Sequence, residues 1–476
     1  MNFLKTAKDL QNVTATVVGL GISNLPLIDF LLAHGARVTA RDGKEREALG
    51  ELPRRLEEKG VPLFCGASYL QGIDERLVFR TPGLRPDHPA LLEAVKNGSV
   101  LTSEMELFLA LTKATVIGIT GSDGKTTTTT LTGLFLQEEC RKKGAGRVFV
   151  GGNIGEPLLP YVEEMTADDY AVVELSSFQL QTVKRSADIA AVTNLSENHL
   201  NWHVDMAEYV RAKTNIFAHP QNRRVVLNAE NAESMALRAQ ITQPVTLFSS
   251  KKTGYAELLL YLREGDGAVF AKDGQICYSD GKTDEVLLEI SEIRLPGVHN
   301  LENYMTALAL THGEVGTDSI LAVARKFTGV RHRLEPVREL DGVRYYNSSI
   351  DSSPSRTAAA LSALAPEKPI VICGGADKGC SFEPLAEVLC KHAKAVILTG
   401  QTAPKIREVL NACPEVQSGT LPILENADFQ GAVELARTTA REGDIVLLSP
   451  ACTSFDAFRN FEERGDTFCQ IVRAFV

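Results

Sequence analysis

Short apolar runs without a period of two recur along this chain, each followed by a turn rich in Gly, Ser or Asn and then by a segment of helical period. The first is ATVV from Ala15, followed by Gly19-Leu20-Gly21, a helical stretch over 25–33 and RVTARD ending at Asp42. LVFR (77–80), TVIGIT (115–120), RVFVGG (147–152), YAVVE (170–174), IAAVTN (189–194) and RRVVLN (223–228) continue the series. Strands covered on both faces have this composition, so the pattern predicts an α/β fold with mostly parallel sheets. Helices are predicted over 102–112, from Lys125, over 206–219, and over 295–313, where Pro296-Gly297 marks the start. Between Tyr255 and Arg294, short apolar runs alternate with Gly and Asp turns, which predicts antiparallel strands instead of further strand–helix units. Near Gly329 the pattern restarts with a hairpin turning at Asp341-Gly342. Helices then alternate with PIVICGG, AVILTG and DIVLLSP as far as Val476. At 476 residues the chain is long enough for about three domains, and these shifts place them at 1–103, 104–329 and 330–476.

The stretch TVIGITGSDGKTTTTTL (115–131) carries the clearest chemistry. A β-branched strand runs into Gly121-Ser122-Asp123-Gly124, and Lys125-Thr126-Thr127 opens an apolar helix. Gly121 and Gly124 allow backbone N–H groups to turn inward, the helix start adds partial positive charge, Lys125 adds a full one, and Thr126 offers a hydroxyl to Mg²⁺. The spacing G-x-x-x-x-G-K-[ST] is missed, because its first Gly falls at Ile119. The bare tripeptide reads equally as a turn with a helix cap; the strand, two glycines and helix in order point to nucleoside triphosphate binding. The five Thr at 126–130 are expected to serve as caps at the helix start.

Glu174 ends an apolar strand, where it either holds Mg²⁺ beside the phosphates or is a surface carboxylate. LSENHLNWH brings Glu197, His199 and His203 to the same sheet edge. His199 is expected to contact ligand, and His203 either does the same or is a satisfied structural histidine. Lys213, on a helix, reads from spacing alone as a solvated charge. In the first domain the Gly19 turn is a weak dinucleotide fingerprint with Asn24 in the third Gly position, and Asp42 is placed to accept hydrogen bonds from a phosphate-linked ribose. Thr81-Pro82-Gly83 is either a second contact or a tight loop.

Charge and cysteine usage narrow the partners. The formal net charge is −10 with no long basic run, which disfavours nucleic acid and favours small substrates. The nine Cys form no C-x-x-C pair, and an odd count argues against a complete disulfide framework, as expected of a reducing cytoplasm. No signal-peptide pattern and no stretch of about 20 apolar residues occurs, so neither membrane crossing nor secretion is expected.

TGSDGKTT, GGNIG, ELSSFQL, NHLNWH followed by Lys213, LPGVHN, GVRHRLE, GGADKG and LSPACTSFDAFRNFEERG, in this order across nearly the whole chain, resemble the Mur ligases. The last motif is similar to the branch that adds D-glutamate. The resemblance implies a Rossmann-like N-terminal domain for a UDP-sugar, a central P-loop ATPase-like domain and a Rossmann-like C-terminal domain for the amino acid. It implies a cytoplasmic, ATP-dependent ligase, expected to be monomeric, that activates UDP-N-acetylmuramoyl-L-alanine as an acyl phosphate for attack by D-glutamate. Residue by residue, Gly121 to Thr127 hold ATP, as do Asn303 and Arg333 after His332. Two Mg²⁺ sites draw on Thr126, Glu174, His199 and Lys213, the last carboxylated by CO₂. Gly21, Ser23, Asp42, Thr81, Gly83 and Asn153 match UDP-sugar contacts, with Asn153 also near the reacting carboxylate. Ser352, Lys378, Ser454 and Phe461 match the D-glutamate pocket. Phe461 lies seven positions after Ser454, so both would face one pocket if that segment were helical.

The chain departs from the family where N-D-S-K-A-T often follows the hairpin. Here Asn347-Ser348-Ser349-Ile350-Asp351-Ser352 lacks both acid and lysine at the aligned positions, and Asp351 is the one acid nearby. Two rivals are a folylpolyglutamate synthetase-like ligase, which typically lacks a separate UDP domain, and a P-loop ATPase switch that makes no bond.

Overall fold

The computed structural model describes residues 6–21, 23–197, 202–251, 255–295, 297–377 and 381–476. The chain divides into two compact units, Met1–Phe327 and Thr328–Val476.

The first unit holds two sheets. One has five parallel strands in the order Leu63–Cys65, Arg37–Asp42, Thr14–Val18, Leu77–Arg80 and Val100–Thr102. Its order reverses between Thr14–Val18 and Leu77–Arg80, which opens a crevice at their carboxyl ends. The other has nine strands, with Thr115–Thr120 between Ile189–Val192 and Tyr170–Glu174 and with Val148–Gly152 at the edge. Along Thr115–Thr120, Val116 to Thr120 are all buried, as expected of a strand covered on both faces.

Two expectations fail locally. Tyr255–Leu260 is a helix, and Val245–Ser249 pairs in parallel with Gly267–Lys272, so one further strand–helix–strand unit precedes the antiparallel strands. YAELLL contains no Gly or Pro, and its Ala, Glu and Leu are strong helix formers. The helix expected over 206–219 stops at Thr214. There the Asn215 amide donates to Leu180 O at 2.9 Å, and Ile216 O accepts from Ala187 N at 3.0 Å, which draws the chain out of the helical ladder.

The second unit has a six-stranded sheet. The antiparallel hairpin of Glu335–Leu340 and Val343–Asn347 leads into parallel strands Ile445–Leu448, Ile370–Cys373, Ala395–Leu398 and Ile423–Glu425. Ile423–Glu425 and the helix Phe429–Thr439 add a unit that the apolar pattern missed, because three residues are too few to register as a run. Among the described residues no helix is long and apolar enough to cross a membrane, and the described cysteines are all free thiols.

Candidate active site

The phosphate-type loop is shaped by its glycines. Gly121 and Gly124 have φ of +147° and +78°, and a Cβ on either would collide with Thr193 Oγ1 or Asn303 Oδ1 respectively. The helix Lys125–Lys143 begins immediately after Gly124, so its N-terminus and positive dipole end lie at the loop. Ser122 N donates to Asn194 O and Asp123 N to Asn194 Oδ1, each at 2.9 Å, which pins the loop to the neighbouring strand end. The Lys125 ammonium folds back to donate to Gly121 O at 3.0 Å and Ser122 O at 2.9 Å. Thr127 is half-buried in the first turn. The threonine run does not cap the helix, because Gly124 holds the N-cap position. Instead Thr126 reaches Glu174, Thr128 donates to Asn303 Oδ1 at 3.3 Å, and Thr130 bonds back to Thr126 O.

Glu174 is buried, which excludes the surface-carboxylate reading. Its Oε2 accepts from Thr126 Oγ1 at 2.8 Å and its Oε1 from Asn153 Nδ2 at 2.9 Å. A hydroxyl and a carboxylate from two chain segments at this spacing are hard oxygen donors of the kind that suit Mg²⁺ next to a phosphate. Asn153 therefore stands beside the phosphate-type loop.

Lys213 is buried, not solvated. Its Nζ donates to Gly121 O at 2.8 Å and Thr120 Oγ1 at 3.2 Å, and it lies 4.8 Å from the centre of the Tyr209 ring. Burial first, and the nearby Lys125 charge second, hold its pKa well below the ordinary lysine value, against the opposing pull of Glu174 and Asp123. His199 lies outside the described residues. His203 is a packed core residue: its Nε2 is 2.9 Å from Ser177 Oγ and its ring stacks on Phe178 at 5.7 Å. Burial lowers its pKa.

In the first sheet, Thr81 packs against Gly19, which has φ of +84° and no room for a Cβ. Asp42 accepts Leu20 N at 2.8 Å and Lys44 N at 2.9 Å, so it fastens the glycine turn itself. Asn24 Nδ2 donates to Gly19 O at 2.7 Å, which gives this residue a use that a third glycine would lack. Gly21 and Gly83 border open space, and Ser23 immediately precedes the helix Asn24–Ala33. Gly21, Ser23, Thr81 and Gly83 all follow the carboxyl ends of the two strands that flank the switch point. The sequence reading passed over Arg80, which ends a strand of this sheet and is 1% exposed.

In the second unit Arg333 is exposed, whereas Asn303 belongs to the first unit and is buried. Ser352 is half-buried, and its N–H donates to Ile350 O at 2.8 Å. Ser454 is buried, and its carbonyl accepts Phe458 N at 2.8 Å. The segment from Ser454 to Asn460 is turn and bend, and Phe461 opens the helix Phe461–Ala474, so the two-turn helical spacing between Ser454 and Phe461 does not hold. Its cause is Asn460, whose Oδ1 accepts Glu463 N at 2.8 Å and starts the helix late. The Phe461 ring meets His332 edge-on at 5.9 Å. Lys378 lies outside the described residues. Asp351 is buried and accepts Ser449 Oγ at 2.8 Å; burial raises its pKa despite that bond. Arg464 was also missed: its buried guanidinium donates to Ser349 Oγ, Ser349 O and Cys452 O at 3.0, 2.9 and 3.1 Å.

Three family models match in sequence order: the Mur ligase MurD-like N-terminal domain over 13–103, the Mur ligase middle domain over 119–311, and the Mur ligase glutamate ligase domain over 332–452. The chain is 45% identical to a UDP-N-acetylmuramoylalanine--D-glutamate ligase of Clostridium novyi, over 97% of both chains. It is equally 45% identical to one of Symbiobacterium thermophilum, over 97% of this chain and 98% of that one. The solved structure of MurF from Acinetobacter baumannii shares the fold, with a TM-score of 0.55 at 16% identity over 98% of this chain and 93% of that chain. Glycine loop, buried strand-end glutamate and buried lysine thus stand in a chain that is similar to such ligases from end to end, and the chain belongs to the Mur ligase family.

Proposed function

We propose that the chain joins D-glutamate to UDP-N-acetylmuramoyl-L-alanine in an ATP-dependent, ADP-forming reaction of peptidoglycan precursor synthesis. The observation that carries this reading is the convergence of Lys125, Thr126, Glu174 and Lys213 on one glycine loop. The near-full-length likeness to D-glutamate ligases supports the choice of acceptor. The match over 13–103 favours it over a folylpolyglutamate synthetase-like ligase or a bond-free ATPase switch.

A carboxylate is a poor acyl donor because its oxygen is a poor leaving group. In the proposed reaction the alanyl carboxylate takes the γ-phosphoryl group of ATP, ADP leaves, and the D-glutamate amine attacks the acyl phosphate. A C–N bond forms, a C–O bond breaks, phosphate departs and the amine loses a proton. Lys125 exchanges its two loop carbonyls for phosphate oxygens and offsets the charge that develops on the transferring group. Bound Mg²⁺ would neutralise phosphate charge, held at one site by Thr126 and Glu174 and at a second by His199 and Lys213. A neutral Lys213 amine adds CO₂ with loss of one proton, which converts the neutral side chain into a carbamate anion suited to that second site. Its burial and its proximity to Lys125 support this modification. Gly21, Ser23, Asp42, Thr81 and Gly83 receive the UDP-sugar, with Asp42 acting by holding the glycine turn. Ser352, Lys378, Ser454 and Phe461 receive D-glutamate. Asn303, which accepts from Thr128 beside the loop, belongs to the ATP site. We place the domains at 1–103, 104–329 and 330–476 and the enzyme in the cytoplasm as a monomer, without nucleic-acid or membrane partners.

The acyl phosphate is tested by incubating the chain with ATP, UDP-N-acetylmuramoyl-L-alanine and hydroxylamine, omitting D-glutamate. A hydroxamate of the nucleotide-sugar formed together with ADP is expected; ADP formation without hydroxamate would contradict the route.

A further inference from the structure

Arg80 is a buried cation that the proposed chemistry leaves unused. It is 1% exposed, and no carboxylate among the described residues perturbs it; burial alone lowers its pKa, to about 10. A guanidinium so placed must draw its compensation from hydrogen bonds. Its Nη1 donates to the carbonyls of Thr81, Pro82 and Leu84 at 3.3, 3.1 and 2.6 Å. Its Nη2 points the other way, to Phe178 O at 2.9 Å and Thr182 Oγ1 at 3.4 Å. The first three acceptors form the loop that carries Thr81 and Gly83. Phe178 lies in the short helix Ser177–Leu180, directly downstream of Glu174.

Two neighbouring contacts run in the same direction. Trp202 Nε1 donates to Gly83 O at 3.3 Å. Arg85 grips Glu208 with both terminal nitrogens, at 2.9 and 3.3 Å, on the helix Met206–Thr214 that also carries Lys213. Loop 81–85 is thereby fastened to segments next to both Glu174 and Lys213. Arg80 combines three loop carbonyls with a main-chain carbonyl of the other sheet's domain, and a planar fork with donors on both sides suits that gap.

We propose that Arg80 is a positioning residue for the nucleotide-sugar, fixing loop 81–84 against the segment that follows Glu174 so that the sugar end of the substrate is held in register with the triphosphate site. This rests on the reading that the UDP-sugar occupies the crevice at Thr81 and Gly83. Arg80→Met keeps the apolar stem and removes every one of these donors, leaving the loop to be ordered by the substrate itself.

The test is steady-state ligation by the full chain, varying UDP-N-acetylmuramoyl-L-alanine and ATP separately, with folding verified by circular dichroism and thermal melting. For Arg80→Met, KM for the nucleotide-sugar is expected to rise roughly tenfold or more while KM for ATP stays within about twofold, the scale of losing several hydrogen bonds from one site. Arg80→Lys, which keeps the charge but reaches one side only, is expected to fall between the two and carries the test if Arg80→Met does not fold. A folded variant with lower kcat and both KM values unchanged, or with both raised alike, overturns the positioning role. Wild-type chain without saturable dependence on the nucleotide-sugar would instead contradict the proposed function beneath it.

Discussion

Lys213 and Lys125 share one acceptor: both ammonium groups donate to the carbonyl oxygen of Gly121, at 2.8 and 3.0 Å. Two like charges on one oxygen disfavour double protonation, and burial decides which proton is lost. Lys213 is buried, and its pKa is driven well below the ordinary value. The glycine loop therefore holds two lysines on one oxygen, of which Lys213 is poised to be neutral.

Lys125→Ala is expected to lower kcat on the order of 10³-fold or more, the scale of removing one charge aimed at a transferring phosphoryl group. Single-turnover ADP formation measures it. Near-normal turnover by a folded variant would contradict the loop assignment.

Lys213→Ala is expected to be nearly inactive and partly restored by short carboxylates that occupy the place of the carbamate. Stability gives an independent reading. Between the depressed folded pKa of Lys213 and its ordinary value of 10.5, the unfolded chain binds a proton that the folded chain lacks, so stability rises with pH across that window. Below the window the full cost of a buried ammonium is present. Lys213→Met is therefore expected to raise Tm more at pH 6 than at pH 9 in melts without nucleotide or CO₂; an equal shift at both would contradict the lowered pKa.

Asp351 has the opposite sign. Its carboxyl pKa is raised above 3.8 by burial, so the folded chain retains a proton that the unfolded chain loses, and stability falls as pH rises from 3.8 through the raised value. Asp351→Asn keeps an acceptor for Ser449 Oγ and is expected to raise Tm at pH 7 and to have less effect at pH 4. Loss of ligation in a folded Asp351→Asn would show that the charge itself is used, in place of the acid missing at Ser348.

Ile350 stands where the related pattern often has lysine, so under the proposed assignment Lys378 would carry more of the charge toward the acceptor's carboxylates. Lys378→Ala is expected to raise the D-glutamate requirement roughly tenfold or more, the scale of one charge-assisted hydrogen bond. Unchanged D-glutamate use would contradict the assignment.

The strand ends at Glu174 and at the glycine loop are legible because a buried strand has an unmistakable composition, whereas the burial of Glu174 is not, since a strand-end carboxylate reads equally as a surface residue. Lys213 was not legible from spacing, since its burial comes from the helix Met206–Thr214 lying over a loop about ninety residues earlier in the chain, a relation no local period encodes. The family resemblance singles out Lys213 instead. Nothing local marks Arg80 at the end of LVFR, because its partner Phe178 lies about a hundred positions away. Spacing alone leaves open whether Ser454 to Phe461 is helical, and the Asn460 cap that starts the helix only at Phe461 settles it as a turn.

Acceptor choice tests the central claim most directly. Phosphate release should be measured with ATP and UDP-N-acetylmuramoyl-L-alanine, alone and with D-glutamate, L-glutamate, D-aspartate, meso-diaminopimelate or L-lysine. Release that depends on D-glutamate, with the other amino acids much poorer, is the expected result. Release independent of any amino acid, or better supported by meso-diaminopimelate or L-lysine, would contradict it.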